Sequence, residues 1–524
     1  MAFLVAGRRD DPGEPASGPT LTDGGRAWRR ILALAVALAV LMLALLTARY
    51  LTWHSFVFDL GGYDQKVWLI AIQRDLGAML EQTYRAGVQT SPCGTVRYWG
   101  ICHFQPLYLL YGFAYHVWAS PLLLLWSQVL LVASGVIPCF LLARDRVGSP
   151  AAGVLGAFLY ALHPAVQFNG LLDFRPDHIA IPFLLWAFWL ADQRRYLAAA
   201  AMAAVPALAK ESLLLAFAGF GLYLIVRKRR IAVGTIVFAL GMATFAFVAF
   251  VLLAAPGRSE GAFMLSRYFS GGAGFFASEL LIRKAVYLVA LFGPLALLPL
   301  LDPLTLLPAG PALAIAFLSS DSTHVSIQSQ YSAAVVAPMF AALFAVLSRL
   351  ARHLGSTAAP ARILSGLVVL AWFFAVAQGP MPLSLNFWIK SWGRQWHYSQ
   401  YVPDRQGAVA AAAALIPAEP DLMVVTQNDL NSARLAHRHL YFPFPAGLEG
   451  ADYVFLDQRR LPFLYWVAKE PARYAGIVAD LRQSPDYRMA FERDGVFLFA
   501  RVGTRRPGTP DLRLAPPPPT AMPQ

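Results

Sequence analysis

From residue 31 to 50 the chain reads ILALAVALAVLMLALLTARY, with no charge until Arg49. As a helix this run is about 30 Å long, the thickness of a bilayer's hydrocarbon core. Similar runs recur along the sequence, and they decide which solvent the chain is built for. Of 524 residues, 57% are hydrophobic and 14% charged, whereas a soluble domain carries about a quarter charged residues. Such a chain cannot clothe a water-facing surface, but it can face lipid.

Cationic clusters order the runs. Arg26, Arg29 and Arg30 precede the first, and RDR (144–146), DQRR (192–195), RKRR (227–230) and the basic segment 349–362 close later ones. By the positive-inside rule these ends are cytoplasmic and the N-terminus is too. Alternating from there gives about eleven spans, several shorter than the usual roughly 20 residues, as tolerated where helices line a cavity. One inner connection, LDP at 301–303, breaks the basic pattern. The formal charge of +13 thus reports topology; no basic stripe interleaved with aromatics suggests nucleic acid. The expectation is a multi-pass protein of the cytoplasmic membrane.

Residues 1–30 read as a disordered cytoplasmic tail without a cleavable signal, and 31–379 as an all-α polytopic membrane domain with a long first outer loop, 51–119. Composition shifts after about Gly379. DLMVVT (421–426), DYVFLD (452–457) and GVFLFARV (495–502) read as strands, and 470–482 as an amphipathic helix. Residues 380–504 are therefore expected to form a small extracytoplasmic α/β domain, followed by a Pro-rich disordered end, 505–524. Of three cysteines, Cys139 lies in an apolar run and reads as core. Cys93 and Cys102 share the first outer loop and can pair if that compartment is oxidising.

Polarity bordering the spans falls on one face. It includes Asp59, Asp64 and Gln65 in FDLGGYDQKVW, and His103 and Gln105 in CHFQP. Asp173, Arg175, Asp177 and His178 follow in DFRPDH, then Lys210 and Glu211, Arg267, and Asp321, His324, Gln328 and Tyr331. Ionisable groups at span ends are costly unless they face a cavity. Each has a plainer reading: Asp64 as a helix N-cap, Asp59 as a turn residue, Lys210-Glu211 as a hairpin corner, Arg175 as a structural ion pair, His163-Pro164 as a helix stop. Their common sidedness points to one polar cavity at the outer membrane surface. No P-loop, GxGxxG, HExxH or CxxC competes, and no ligand spacing specifies a metal.

FDLGGYDQKVW, HFQPLYLL, LLDFRPDHIAIP, AKES, QYSAAVVAP, VVTQNDLNSARL and ADYVFLD occur in this order. Together they resemble a domain-of-unknown-function family of multi-pass membrane proteins of bacteria and archaea, similar in architecture to the GT-C membrane glycosyltransferases. That resemblance implies transfer of a sugar from a polyprenyl-phosphate donor in the lipid to an acceptor outside. It implies Asp59 or Asp64 as catalytic base or as ligand of a divalent cation such as Mg or Mn. Lys210, Arg175 and Arg267 would then bind the donor phosphate. Gln65, His103, Gln105, Asp173, Asp177, His178, Glu211, His324, Gln328 and Tyr331 would line the cavity. The sequence lacks the adjacent acidic pair and the WWDYG-type motif of the better-known members. The alternatives are a transporter or lipid flippase, for which neither a repeat nor a mid-span acid is seen, and a non-catalytic envelope scaffold.

Overall fold

The computed structural model describes residues 21–73, 103–252, 278–319, 322–390, 394–403, 407–418, 422–430, 434–435, 440–444, 448–459 and 471–503. The expected Cys93–Cys102 pair, Arg267 and Asp321 lie outside them; Cys139 is buried and free, packed in the helical body.

Each apolar run folds as helix. The first is α1 (Leu21–Leu51), followed by α2 (Gly62–Gln73), α3 (Leu107–Tyr115), α4 (Pro121–Ser134), α5 (Val136–Val147), α6 (Pro150–Leu162) and α7 (Pro164–Leu171). Then come α8 (Ala180–Asp192), α9 (Tyr196–Ala204), α10 (Glu211–Val226), α11 (Ile231–Phe247), α12 (Ser278–Phe292), α13 (Gly310–Leu318), α14 (Ala333–Leu354) and α15 (Ala358–Gln378). Length, however, does not establish eleven spans. Among the described residues five helices are long and apolar enough to cross a membrane: 27–51, 121–147, 231–251, 330–354 and 358–378. The pair α6 and α7 passes the same test only if taken together across a 55° bend, the geometry of a broken span or of a re-entrant loop. His163 makes that bend: its Nδ1 accepts from Ala165 N at 3.2 Å as the cap of α7, and Pro164 follows. The helix stop read from His163-Pro164 is therefore also a helix start.

Helices α10 and α11 approach backbone to backbone. A Cβ on Gly221 would lie 2.5 Å from Phe238 N, and one on Gly234 would lie 2.8 Å from Gly221 O. In lipid, where no hydrophobic effect drives helices together, such small-residue contacts supply the packing.

Far from the polar loops a charged network ties the helix ends. Asp192, closing α8, accepts from Arg146 Nε at 2.6 Å and Lys228 Nζ at 2.6 Å. Asp302 accepts from Arg349 Nη1 at 2.9 Å, with Arg227 at 3.9 Å. The acidic LDP turn thus fits the basic end: its carboxylate is partnered by the cations that elsewhere mark it.

The C-terminal sheet has five strands, β1 (Met423–Thr426), β2 (Leu440–Pro443), β3 (Tyr453–Asp457), β4 (Tyr487–Arg493) and β5 (Val496–Arg501), in the order β2-β1-β3-β5-β4. The first three are parallel; β5 runs antiparallel to β3 and β4 to β5. Helix α17 (Pro471–Gln483) covers one face with Tyr474, Val478 and Leu481. Helix α16 (Ala408–Ala413) covers the other, joined there by Trp53.

Trp53 therefore belongs to two bodies. It follows α1, whose end is closed by His54 N to Arg49 O at 3.0 Å and Trp53 N to Tyr50 O at 3.2 Å. That pattern places Trp53 where helices ordinarily use glycine, and its φ is 65°. A left-handed aromatic residue costs about 1–3 kcal/mol and persists only where its surroundings hold it. Here they do: its ring meets Phe455 edge-on at 6.2 Å, and the Arg434 guanidinium lies 4.5 Å above it.

Candidate functional site

The polar residues converge where α2, α3, the 172–178 loop, the α9–α10 turn and the start of α14 meet. The 172–178 loop is the rigid centre. Gln128, fully buried in α4, donates to Leu172 O at 2.6 Å and accepts from Arg175 N at 2.9 Å, fixing the loop on both sides of Asp173. Phe174 is a buried plug, edge-on to Tyr111 at 5.3 Å, Tyr63 at 5.7 Å and His178 at 5.6 Å. Asp173 is consumed by this scaffolding. It pairs with Arg49 of α1 and accepts from Phe56 N, and Arg49 also donates to Leu171 O at 3.2 Å. Its place is behind the pocket wall, so the cavity-lining expectation for Asp173 gives way to a structural pair.

With the loop held, Arg175 meets Asp59, on the tight turn 57–61 before α2. The arginine also lies 5.9 Å from the Tyr63 ring, and its Nε has no hydrogen-bond partner. Burial pushes the Asp59 carboxyl above its ordinary range; Arg175 and Arg49 oppose that shift and Asp173 adds to it. Beside this pair, Lys210 Nζ stands 3.5 Å from Asp177 Oδ1 and 5.2 Å from the Tyr331 ring. That contact is longer than an ordinary charge-assisted hydrogen bond, which measures about 2.7–2.9 Å. Asp177, Gln330 and Tyr331 line one side of a cavity of about 30 Å³, and Leu213 and Ile315 its apolar side.

Four more predicted residues close the pocket. His103 Nδ1 and Glu211 Oε1 are 2.7 Å apart, and Phe104 N donates to Glu211 Oε2 at 3.0 Å, so the end of the first long loop is clamped to the start of α10. Burial lowers the His103 pKa, with Glu211 opposing. His178 is buried; its Nδ1 faces Arg175 O and its Nε2 has no partner. Burial pushes it down to about 4, so near neutral pH the ring is uncharged. His324 stacks edge-on to Tyr331 at 4.2 Å and bonds Ser319 Oγ at 2.6 Å, which fixes the tyrosine beside Lys210.

Two predicted residues sit elsewhere. Asp64 is fully buried and accepts from Tyr115 OH at 2.7 Å, a bond that packs α2 against α3. Gln328 is exposed and accepts from Trp396 Nε1 at 3.2 Å. Gln65 is buried on α2, and Gln105 accepts from Lys66 Nζ at 3.0 Å.

That lysine escaped the sequence reading, as did Tyr63 and Tyr108. Lys66 is 1% exposed and lies 5.8 and 5.6 Å from the rings of Tyr63 and Tyr108; the Tyr108 hydroxyl is buried and unpartnered. The signal was present: a lysine inside the helical run GYDQKVWLIAI must turn from lipid toward a polar interior.

The two candidate acids have protein partners. Asp59 engages Arg175 and Asp64 engages Tyr115, and no three His, Cys, Asp or Glu side chains gather to hold an ion among the described residues.

Several helices long and apolar enough to cross a membrane, a charged cluster at one end of the helical body and a small α/β sheet are the features of a membrane protein with a candidate site beside its helix ends. The chain belongs to the family described as predicted membrane protein DUF2079, which matches residues 49–498. No curated protein matches it. Among solved structures it is similar to ArnT from Cupriavidus metallidurans. The apo form is 13% identical with a TM-score of 0.50, over 91% of this chain and 98% of that one. The form bound to undecaprenyl phosphate is 14% identical with a TM-score of 0.47, over 90% and 98%. At this identity the apo match speaks for a shared fold.

Proposed function

We propose that the protein is a GT-C-like glycosyltransferase that moves a sugar from a polyprenyl-phosphate carrier to an acceptor hydroxyl on the extracytoplasmic side of the cytoplasmic membrane. The observation that carries this reading is the gathering of Arg175, Lys210 and Asp59 from three separate segments around Tyr63, the arginine paired with Asp59 and the lysine facing Asp177. An ArnT-like fold, and an ArnT crystal bound to undecaprenyl phosphate, support a polyprenyl phosphate as the lipid partner.

In this reading the lipid phosphate lies against Arg175 and Lys210. Each offers it capacity: the arginine an unpartnered Nε, the lysine an ammonium only loosely held by Asp177. The acceptor oxygen attacks the anomeric carbon and its proton passes to Asp59. The bond from that carbon to the phosphate oxygen breaks, leaving polyprenyl phosphate with its charge facing the two cations. General-base help of this kind is worth about 10²–10⁴-fold in rate, and cations placed where charge develops add to it. A raised carboxyl pKa makes Asp59 a better base than an exposed aspartate. Uncharged His178 and Tyr108, each with an unpartnered polar atom, suit the neutral sugar between them. The apolar wall at Leu213 and Ile315 adjoins the phosphate position and suits the isoprenoid.

The test is transfer from radiolabelled undecaprenyl-phosphate sugars in proteoliposomes. Asp59→Ala is expected to abolish transfer while retaining the lipid. Accumulation of sugar inside sealed vesicles without a new glycosidic bond would instead establish a transporter.

A further inference from the structure

Helices α9, α10 and α11 leave a groove between them. Glycines draw α11 onto α10: besides the contacts at Gly221 and Gly234, a Cβ on Gly241 would meet Ala218 N at 2.9 Å. Helix α9 faces the gap chiefly with alanines, Ala201 and Ala204 among them, which are too short to fill it. The opening measures about 270 Å³, against about 30 Å³ for the cavity beside Asp177. Its lining is apolar throughout and includes Leu197 of α9, Phe217 of α10, and Ile236 and Val237 of α11. Phe217 and Val237 are 5% and 4% exposed, whereas Leu197 and Ile236 are 78% and 67% exposed, so the groove has a buried floor and an open side.

One mouth of the groove is cationic. Helices α9 and α11 both start there, directly after Arg194-Arg195 and Arg229-Arg230. The Arg230 guanidinium lies 4.6 Å from the Tyr196 ring, which brings the two starts together. The neighbouring cations are occupied: Lys228 Nζ is 2.6 Å from Asp192, and Arg227 is 3.9 Å from Asp302. Arg194, Arg195, Arg229 and Arg230 are exposed, and none of them pairs with a carboxylate among the described residues. Neither helix start has a side-chain cap, so both helix dipoles add to the positive field. The positive-inside rule accounts for arginines at this end of the molecule. It does not account for an apolar groove that begins at them.

A groove that is apolar along its length and cationic at one mouth fits an amphiphile with an anionic head. Inorganic phosphate and acidic peptides would leave the apolar length unused. Basic pockets between membrane helices bind anionic lipid head groups for the same reason. The polyprenyl phosphate of the transfer reading has its head at the other end. Lys210 precedes α10 and Arg227 follows it, and the 16 residues between them span about 24 Å. We infer that the groove between α9 and α11 binds an anionic phospholipid, with its phosphate against Arg195 and Arg230 and one acyl chain along Leu197, Phe217 and Val237. The lipid comes from the leaflet opposite the one that serves the transfer pocket. Helix α9 leads through residues 205–209 to Lys210, so a chain lying against Ala204 braces the segment that carries this lysine. Lipid binding itself does not rest on the transfer reading.

The experiment is native mass spectrometry of the full-length protein in a neutral detergent, titrated with phosphatidylglycerol and with phosphatidylcholine of the same chains. The first phosphatidylglycerol is expected to bind about tenfold more tightly than the first phosphatidylcholine. Arg195→Gln/Arg230→Gln should weaken phosphatidylglycerol by about fivefold for each arginine removed. Ala201→Phe, which fills the groove from an exposed position, should weaken it as well. Arg352→Gln/Arg362→Gln, a pair in the basic segment 349–362 whose Arg349 shares Asp302 with Arg227, should leave it unchanged. Lys210→Met should also leave it unchanged, which separates this site from the transfer pocket. Equal affinity for the two phospholipids, an equal loss in the control pair, undiminished binding in either groove variant, or displacement of phosphatidylglycerol by undecaprenyl phosphate would each overturn the inference.

Discussion

Removing Arg175 strands a carboxylate. The Asp59 and Arg175 side chains are 10% and 19% exposed, so Arg175→Met leaves a mostly buried charge whose principal partner is gone. Breaking a buried pair from one side costs about 3–5 kcal/mol, chiefly the desolvation of the survivor. The remaining exposure, and Arg49 nearby, place the expectation near the lower limit, about 3 kcal/mol. The double variant Asp59→Asn/Arg175→Met removes both charges and should recover most of that loss, because the neutral amide is far cheaper to bury. The assay is chemical unfolding in detergent, followed by tryptophan fluorescence and by circular dichroism, on the wild type, both single variants and the double. Transfer activity measured alongside should stay absent in the double, so that stability and chemistry part company. A coupling energy close to zero would refute the reasoning, since it would mean that water already solvates the carboxylate.

Activity is expected to fall on acidification along a limb lying above the ordinary aspartate value of about 3.9. Transfer needs the ionised carboxylate, whose pKa burial has raised; the same shift makes the folded state take up a proton more readily, so Asp59 contributes stability at low pH that is lost as pH rises through that pKa. A pH profile whose acid limb sits at the ordinary value would contradict this. Gly221→Leu should cost at least about 1–3 kcal/mol by overpacking the α10–α11 contact, where a Cβ already meets backbone at 2.5 Å; thermal unfolding checks it, and an unchanged transition would mean that α11 is free to shift. Trp53→Ala should cost about 3–5 kcal/mol and hasten proteolysis within the C-terminal sheet; equal cleavage rates would count against the packing. Lys210→Met should weaken binding of undecaprenyl phosphate about tenfold, the loss of one charge-assisted contact, as read by calorimetry; unchanged affinity would count against the lysine as a phosphate ligand.

The helical body was legible because lipid imposes one rule: a run of apolar residues becomes a helix. Span counting was less so, because α9, α10 and α13 are short and their ends are set by Pro206, Lys210 and Pro308 rather than by membrane thickness. In the sheet, β1, β3 and β5 announced themselves through buried β-branched and aromatic residues. Strand β4, YRMAFER, does alternate, with Tyr487, Met489 and Phe491 turned inward, but it lies at the edge with Arg488, Glu492 and Arg493 exposed, so its charges dilute the apolar signal; β2 is four residues long and ends in proline. The pocket was found by its charges, at Asp59, Arg175 and Lys210. What the linear pattern does not distinguish is which acid faces the cavity and which braces it. Asp59 and Asp64 are five residues apart in one motif, yet one meets Arg175 and the other the hydroxyl of Tyr115.

Trp53 also sets how the two halves of the molecule can move. Its indole is a piece of the sheet's interior, but its backbone lies two residues past the end of α1 and six before Asp59. Any tilt of the sheet against the helical body therefore pulls on the stretch of chain that carries Asp59.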